Sequence, residues 1–278
     1  MNYKIVSDSS SNVLEFTGIA FQSVPLKICT QAKEYVDDVA LDVAQMVDEI
    51  KKQSGKSGSS CPNVQEWLDA FDGADAIFAV TITSNLSGAY NAAMQAREEY
   101  MNSHPGAKVC VLDTLSTGPE MLLLMEKLRE MILSGMEFDA IEENIRAYMQ
   151  HTHLIFALKS LTNLARNGRV NPAVAAVAGA LGICVVGKAS DQGTLEALHK
   201  CRGEKHALKQ VLQGMIKLGY KGGKVRIDHC LNPEGAVQLQ QMILNRFPGS
   251  DVQLGACGGL CSFYAEKGGF LLGFEDEA

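Results

Sequence analysis

The chain reads as an α/β protein in two parts, an N-terminal parallel sheet flanked by helices followed by a C-terminal α+β part. Three observations predict it. Apolar runs of strand length alternate with amphipathic helical stripes through the first half. Several of those strands run directly into turns dense in Ser and Thr. Beyond residue 180, two strand-like runs bracket Asp191-Gln192-Gly193, a hairpin turn that a purely parallel sheet does not contain. At 278 residues the chain exceeds a typical single domain. The change of rhythm sets the expected units at 1–158 and 159–278, packed tightly with a cleft between them.

Residues 4–6 form a short strand that ends in Ser7-Asp8-Ser9-Ser10-Ser11. Residues 21–29 read as one further strand, which Pro25 restricts to a sheet edge. Val43, Met46, Val47 and Ile50 fall at i, i+3, i+4 and i+7 and mark an amphipathic helix. The stretch 53–63 is dense in Gly and Ser and reads as a flexible link, with Ser59 and Ser60 just before a helix that starts near Pro62 and carries Trp67, Leu68 and Phe71. The organising stretch follows. Residues 76–82 are a buried strand, Thr83, Ser84, Asn85 and Ser87 fill a turn, and Leu86, Tyr90 and Met94 recur at helical spacing. Hydroxyl and amide groups at such a turn cap the first helical N–H groups, and those left free form a small site for an anion or carboxylate.

Residues 108–112 are again a strand that ends in a hydroxyl-rich turn, 113–118, before a helical stripe of Met121, Met125, Leu128 and Ile132 and a polar-faced helix over 139–150. In a parallel sheet the ligand crevice lies beyond the carboxyl ends of the strands, where these turns would gather. The second half reads as a strand to Leu158, a helix through Leu161 and Leu164, a turn at 166–170 and an Ala-rich helix over 172–181. The hairpin strands 183–188 and 194–199 follow, then helix 205–218, strand 224–230, helix 233–246, strand 251–256 and a last strand 269–274.

Composition excludes several classes. Hydrophobic residues make up 46% and charged residues 21%, with a formal net charge of -7, which argues against a nucleic-acid or anionic membrane partner because both need a basic face. The eight cysteines show no framework spacing and the start lacks a signal-peptide pattern, so a soluble protein in a reduced cytoplasm is expected. No phosphate loop, zinc helix or dinucleotide fingerprint occurs. A Ser/Thr cradle with few cations suits a monocarboxylate better than a polyphosphate, with Arg169 the cation to complete it or else a member of a salt bridge. Cys257 follows a strand in a Gly-rich turn, and with His229 it raises a cysteine hydrolase using Cys257 or Cys261. The following residues show no amphipathic helix to lower the thiol pKa, and Cys257 and Cys261 lack a second pair at zinc spacing. His151 and His153 alternate at a strand start and are expected on opposite faces.

Six segments together resemble the DegV family of bacterial fatty-acid-binding proteins. They are SDSSSN at 7–12, SSCPN at 59–63, TITSNLSGAYNAA at 81–93, VLDTLSTG at 111–118, LTNLARNGRV at 161–170 and the pair Arg202-Gly203. The resemblance implies a fatty acid in a tunnel between the two parts, its carboxylate held by Ser59, where the family usually has Thr, and by Ser87. Ser60, Ser84, Arg169 and Cys261 are candidates for support. Cys61 replaces a Gln, Asn63 replaces the last residue of that motif, and the family's C-terminal His-x-Gly-Pro-Gly segment is absent, with Cys261 or Ser262 near the histidine position. The resemblance further implies no catalysis and presentation of the acid to a fatty acid kinase subunit; no cofactor is expected, and transient membrane contact is left open as a further partner. The Ala-rich 173–180 stretch is a candidate tunnel lining. A binder of another amphipathic acid, or of an isoprenoid, is the remaining alternative.

Overall fold

A computed structural model describes residues 1–53, 55–171 and 182–276; the expected Ala-rich helix, and its place in a tunnel wall, lie outside the described residues. A parallel sheet of order β2-β1-β6-β7 is built from β1 (Tyr3–Asp8), β2 (Ala20–Val24), β6 (Ala76–Thr81) and β7 (Lys108–Asp113). Every residue of β6 is buried, as its unbroken apolar run requires of a central parallel strand. α2 (Val64–Phe71) and α3 (Ala89–Ser103) cover the face carrying Val6, Ile77 and Ala79. α4 (Pro119–Leu133) and α5 (Phe138–Tyr148) cover the face carrying Ile5, Phe78 and Val80. α2 begins with a capping box in which the Asn63 side chain accepts from the Glu66 N–H and Glu66 accepts from the Asn63 N–H.

A six-stranded sheet of order β10-β9-β8-β13-β11-β12 forms the second layer system. Its strands are β8 (Thr152–Leu158), β9 (Ile183–Ala189), β10 (Leu195–Arg202), β11 (Lys224–His229), β12 (Asp251–Ala256) and β13 (Phe270–Glu275). One face packs on α7 (Glu204–Lys217) and α8 (Pro233–Arg246). The other face, with Leu154, Phe156, Leu158 and Leu271, meets α1 (Val43–Lys52), α6 (Thr162–Arg166), α9 (Gly259–Ala265) and a small sheet. That sheet, of order β4-β3-β5, joins β3 (Lys27–Thr30), β4 (Glu34–Val36) and β5 (Ser57–Ser60). The fold class expected from the sequence holds, including the hairpin of β9 and β10.

Four expectations change. The run 21–29 is two strands in two sheets, broken at Pro25, which cannot donate to a ladder. The supposed flexible link contains β5, which pairs antiparallel with β3. β8, read as closing the first part, pairs with β9 and β13, so the change of sheet precedes residue 152 rather than following 158. Residues 259–265 form a short helix where none was expected.

Buried polar bonds fasten the two sheet systems together. Asn12 Nδ2 donates to Asp228 Oδ2 at 2.6 Å, and the Gly258 N–H donates to Asn12 Oδ1 at 2.9 Å. The Asp37 carboxylate accepts from Gly259 N–H at 2.5 Å, Leu260 N–H at 2.9 Å and Ser9 Oγ at 2.9 Å, which fixes the start of α9. Arg226 on β11 forms a two-pronged pair with Glu126 on α4, at 3.1 and 2.8 Å. Gly273 on β13 lets α4 approach closely, since a Cβ there would lie 2.5 Å from the Glu120 nitrogen.

Burial pushes the Asp228 carboxyl up to about 7, against the pull of the Asn12 hydrogen bond. The folded protein therefore keeps a proton that the unfolded chain, titrating near 3.8, has already lost. The corresponding stability is complete at acid pH and is lost as pH rises through 7. Stability against urea is expected to fall between about pH 4 and 7, by up to about 1.4 kcal/mol per unit from this group, and Asp228→Asn to flatten the slope. An equally steep slope in the variant would assign the dependence elsewhere.

Candidate functional site

A cavity of about 310 Å³ lies between the carboxyl ends of the parallel strands and the inner face of the six-stranded sheet. Its floor follows from strand periodicity: Leu154, Phe156 and Leu158 are alternate residues of β8 and share one face, with Leu271 of β13 opposite Phe156. Leu26, Ile82, Leu164, Leu195 and Leu260 extend the apolar wall. The tip of the β9–β10 hairpin closes one side. Asn85 Nδ2 donates to the Gln192 carbonyl at 2.6 Å, and a Cβ on Gly193 would stand 2.2 Å from Thr83 Oγ1, so the tip seats only because that residue is glycine.

Polar groups gather where the wall is partly exposed. Ser59 and Ser60 arrive on β5, Ser87 and Gly88 at the start of α3, and Arg169 from the turn after α6. Ser87 Oγ accepts from the Ala89 N–H at 3.3 Å, while the N-cap position is Gly88, which brings no side chain. Arg169 Nε donates to the Leu86 carbonyl at 3.3 Å and Nη1 donates to the Asn167 carbonyl, so its guanidinium spans the turn after β6. Both of these acceptors are neutral carbonyls, and Arg169 lines the same cavity as Ser59 and Ser87.

The structure brings Ser59, Ser60, Ser87, Arg169 and Cys261 to the cavity. Ser84 is outside its wall; its N–H donates to Asp113 Oδ1 at 3.0 Å. The first hydroxyl turn, Ser9-Ser10-Ser11, is wholly buried and braces neighbouring loops instead, the Ser10 carbonyl accepting from Gly118 N–H and the Cys261 thiol. The residue missed in the sequence is Tyr264, whose OH lies 2.8 Å from Ser59 Oγ. Once 259–265 is helical, Leu260, Cys261, Tyr264 and Ala265 share the face that lines the cavity. That spacing was the available signal.

Cys257 and Cys261 are buried, and burial drives both thiols far above their ordinary range. Neither has the thiolate that nucleophilic chemistry requires, which sets the hydrolase expectation aside. His151 and His153 both bond to the Asp276 carboxylate, at 2.9 and 3.0 Å, because His151 lies in a tight turn ahead of β8 rather than in the strand. Among the described residues no group of three His, Cys, Asp or Glu could hold a metal ion, and no helix is long and apolar enough to cross a membrane.

A largely apolar chamber between a parallel and a mixed sheet, with hydroxyls in its wall, defines a class of two-part α/β proteins with room for a small amphipathic molecule. The chain belongs to the DegV family, whose profile, described as that of an uncharacterised protein family, matches residues 2–276. A DegV domain-containing protein of Streptococcus gordonii is 41% identical over 279 residues, covering 99% of each chain. A DegV family protein from Eubacterium eligens, solved loaded with heptadecanoic acid, is 46% identical with a TM-score of 0.97 over 99% of this chain and 100% of that one. The Streptococcus pneumoniae fatty acid kinase B3 protein, solved loaded with linoleic acid, is 40% identical with a TM-score of 0.98 over the full length of both. Both of these solved relatives hold a bound fatty acid.

Proposed function

We propose that the cavity holds a long-chain fatty acid, its carboxylate at the Ser59, Ser87 and Tyr264 end and its alkyl chain over β8 and β13, and that the protein presents the carboxylate to a fatty acid kinase for acyl-phosphate formation. The observation that carries this is the make-up of the wall, a floor of aliphatic and aromatic side chains from β8 and β13 with the half-buried hydroxyls of Ser59 and Ser87 in the same lining. Burial of the chain supplies affinity at about 0.8 kcal/mol per CH2. Each hydrogen bond to the charged carboxylate adds about 1.5–3 kcal/mol and fixes which end faces out. Arg169, held across the same turn, adds a positive charge beside the carboxylate. Ser60 and Cys261 complete the wall without a direct role, the Cys261 thiol being engaged with the Ser10 carbonyl at 3.3 Å. The chain's own work is to bind and orient, in units of 1–151 and 152–276 whose facing surfaces make the chamber.

Native mass spectrometry followed by organic extraction tests the reading. A long-chain fatty acid at near one-to-one stoichiometry is expected, and a protein that is empty and refuses added heptadecanoic or linoleic acid would overturn it. An extracted isoprenoid or other acid would replace the ligand class. Tyr264→Phe removes the phenol beside Ser59 while keeping its ring, and is expected to weaken fatty acid binding by about 1 kcal/mol, roughly fivefold, with unchanged melting. Unaltered affinity in a displacement titration would remove Tyr264 from the site.

A further inference from the structure

A second cavity, of about 410 Å³, lies on the far side of α9 and belongs to no part of the proposed lipid site. Lys51, at the end of α1, Arg166, at the end of α6, and Lys267, just past α9, all line it. None of the three has an acidic partner among the described residues, although the chain as a whole carries a formal charge of -7. One carboxylate is in the wall. Glu266 Oε1 is occupied by Ser160 Oγ at 2.8 Å and the Asn163 N–H at 3.1 Å, which holds it to the start of α6.

Helix ends alone do not account for the cations. A helix C-terminus is equivalent to about half a negative charge, and a cation beside it gains only about 0.3–1 kcal/mol. The ends of α1, α6 and α9, with Glu266, offset most of the three charges and leave a small net positive charge in a hollow to which three separate segments bring cations. Val47 and Ile50 of α1 provide an apolar patch in the same wall. We propose that this cavity binds a small phosphorylated organic molecule, its phosphoryl group among Lys51, Arg166 and Lys267 and its organic part against Val47 and Ile50. The assignment is independent of the lipid reading.

The test uses phenyl phosphate and inorganic phosphate as probes, titrated calorimetrically into the full-length protein and into a Lys51→Gln, Arg166→Gln, Lys267→Gln triple variant. All three positions are exposed, so the variant is expected to melt like the parent and to retain its lipid. Saturable, salt-sensitive binding of phenyl phosphate, tighter than that of inorganic phosphate and weakened at least roughly tenfold in the variant, is the expected result. No saturable binding of either probe up to roughly 10 mM, or equal binding by the variant, would overturn the site. Equal affinity for the two probes would overturn its organic half.

Discussion

Replacing Arg226 with Met is expected to lower stability by about 3–5 kcal/mol, because Glu126 is left charged and buried without a partner. The Arg226 side chain is 3% exposed and that of Glu126 10%, so water cannot replace the lost bonds. The guanidinium also donates to the carbonyls of Val225 and Asp251, both at 3.0 Å, which lose their donor together. Urea denaturation reads the effect. Adding Glu126→Leu to the Arg226→Met variant is expected to recover most of the loss, since an apolar pair of similar volume has no charge to desolvate. If the single variant loses less than about 1 kcal/mol, the pair is not the tie between α4 and β11 described above.

Ser59→Ala combined with Ser87→Ala is expected to weaken long-chain fatty acid binding by roughly 100-fold, two charge-assisted hydrogen bonds at about 1.5–3 kcal/mol each with some overlap between them. Neither hydroxyl holds the core. Among the described residues Ser59 Oγ meets only Tyr264, and Ser87 Oγ accepts one weak bond from its own helix, so melting is expected to change little. Displacement of a fluorescent fatty acid gives the affinity, and phosphate transfer by a purified fatty acid kinase gives presentation. Transfer is expected to fall further than binding, because a chain retained by its alkyl part no longer has its carboxylate fixed. Affinity within about threefold of the parent would move the carboxylate elsewhere in the cavity.

How much of this was legible in the sequence depended on the range of the interaction that made each element. β6, the turn after it and α3 could be read locally, because an unbroken apolar run followed by helical spacing states its own structure, and Ser87 came with them. β5 could not: its Ser-Gly-Ser-Ser has no strand preference, and only pairing with β3 extends it. α9 escaped for a related reason. It is seven residues long, too short to declare itself, and Asp37, 222 residues earlier, satisfies its first N–H groups. Tyr264 was lost with it. Pro25 marks an edge, as β2 lies at the edge of its sheet, but it also separates strands of two different sheets, which only the pairing partners reveal. Ser84 was overcounted because a hydroxyl in the right turn need not face the right way.

The cavity wall draws on residues from Leu26 to Leu271, nearly the whole span of the chain. No contiguous fragment contains the binding surface, so the unfolded polypeptide has nothing with which to hold a ligand. Occupancy and folding are therefore thermodynamically linked: a ligand free at a hundred times its Kd adds about 2.7 kcal/mol to the folded state. Loaded protein melts later than stripped protein, and the melting curve becomes a gauge of how much of the population is carrying cargo.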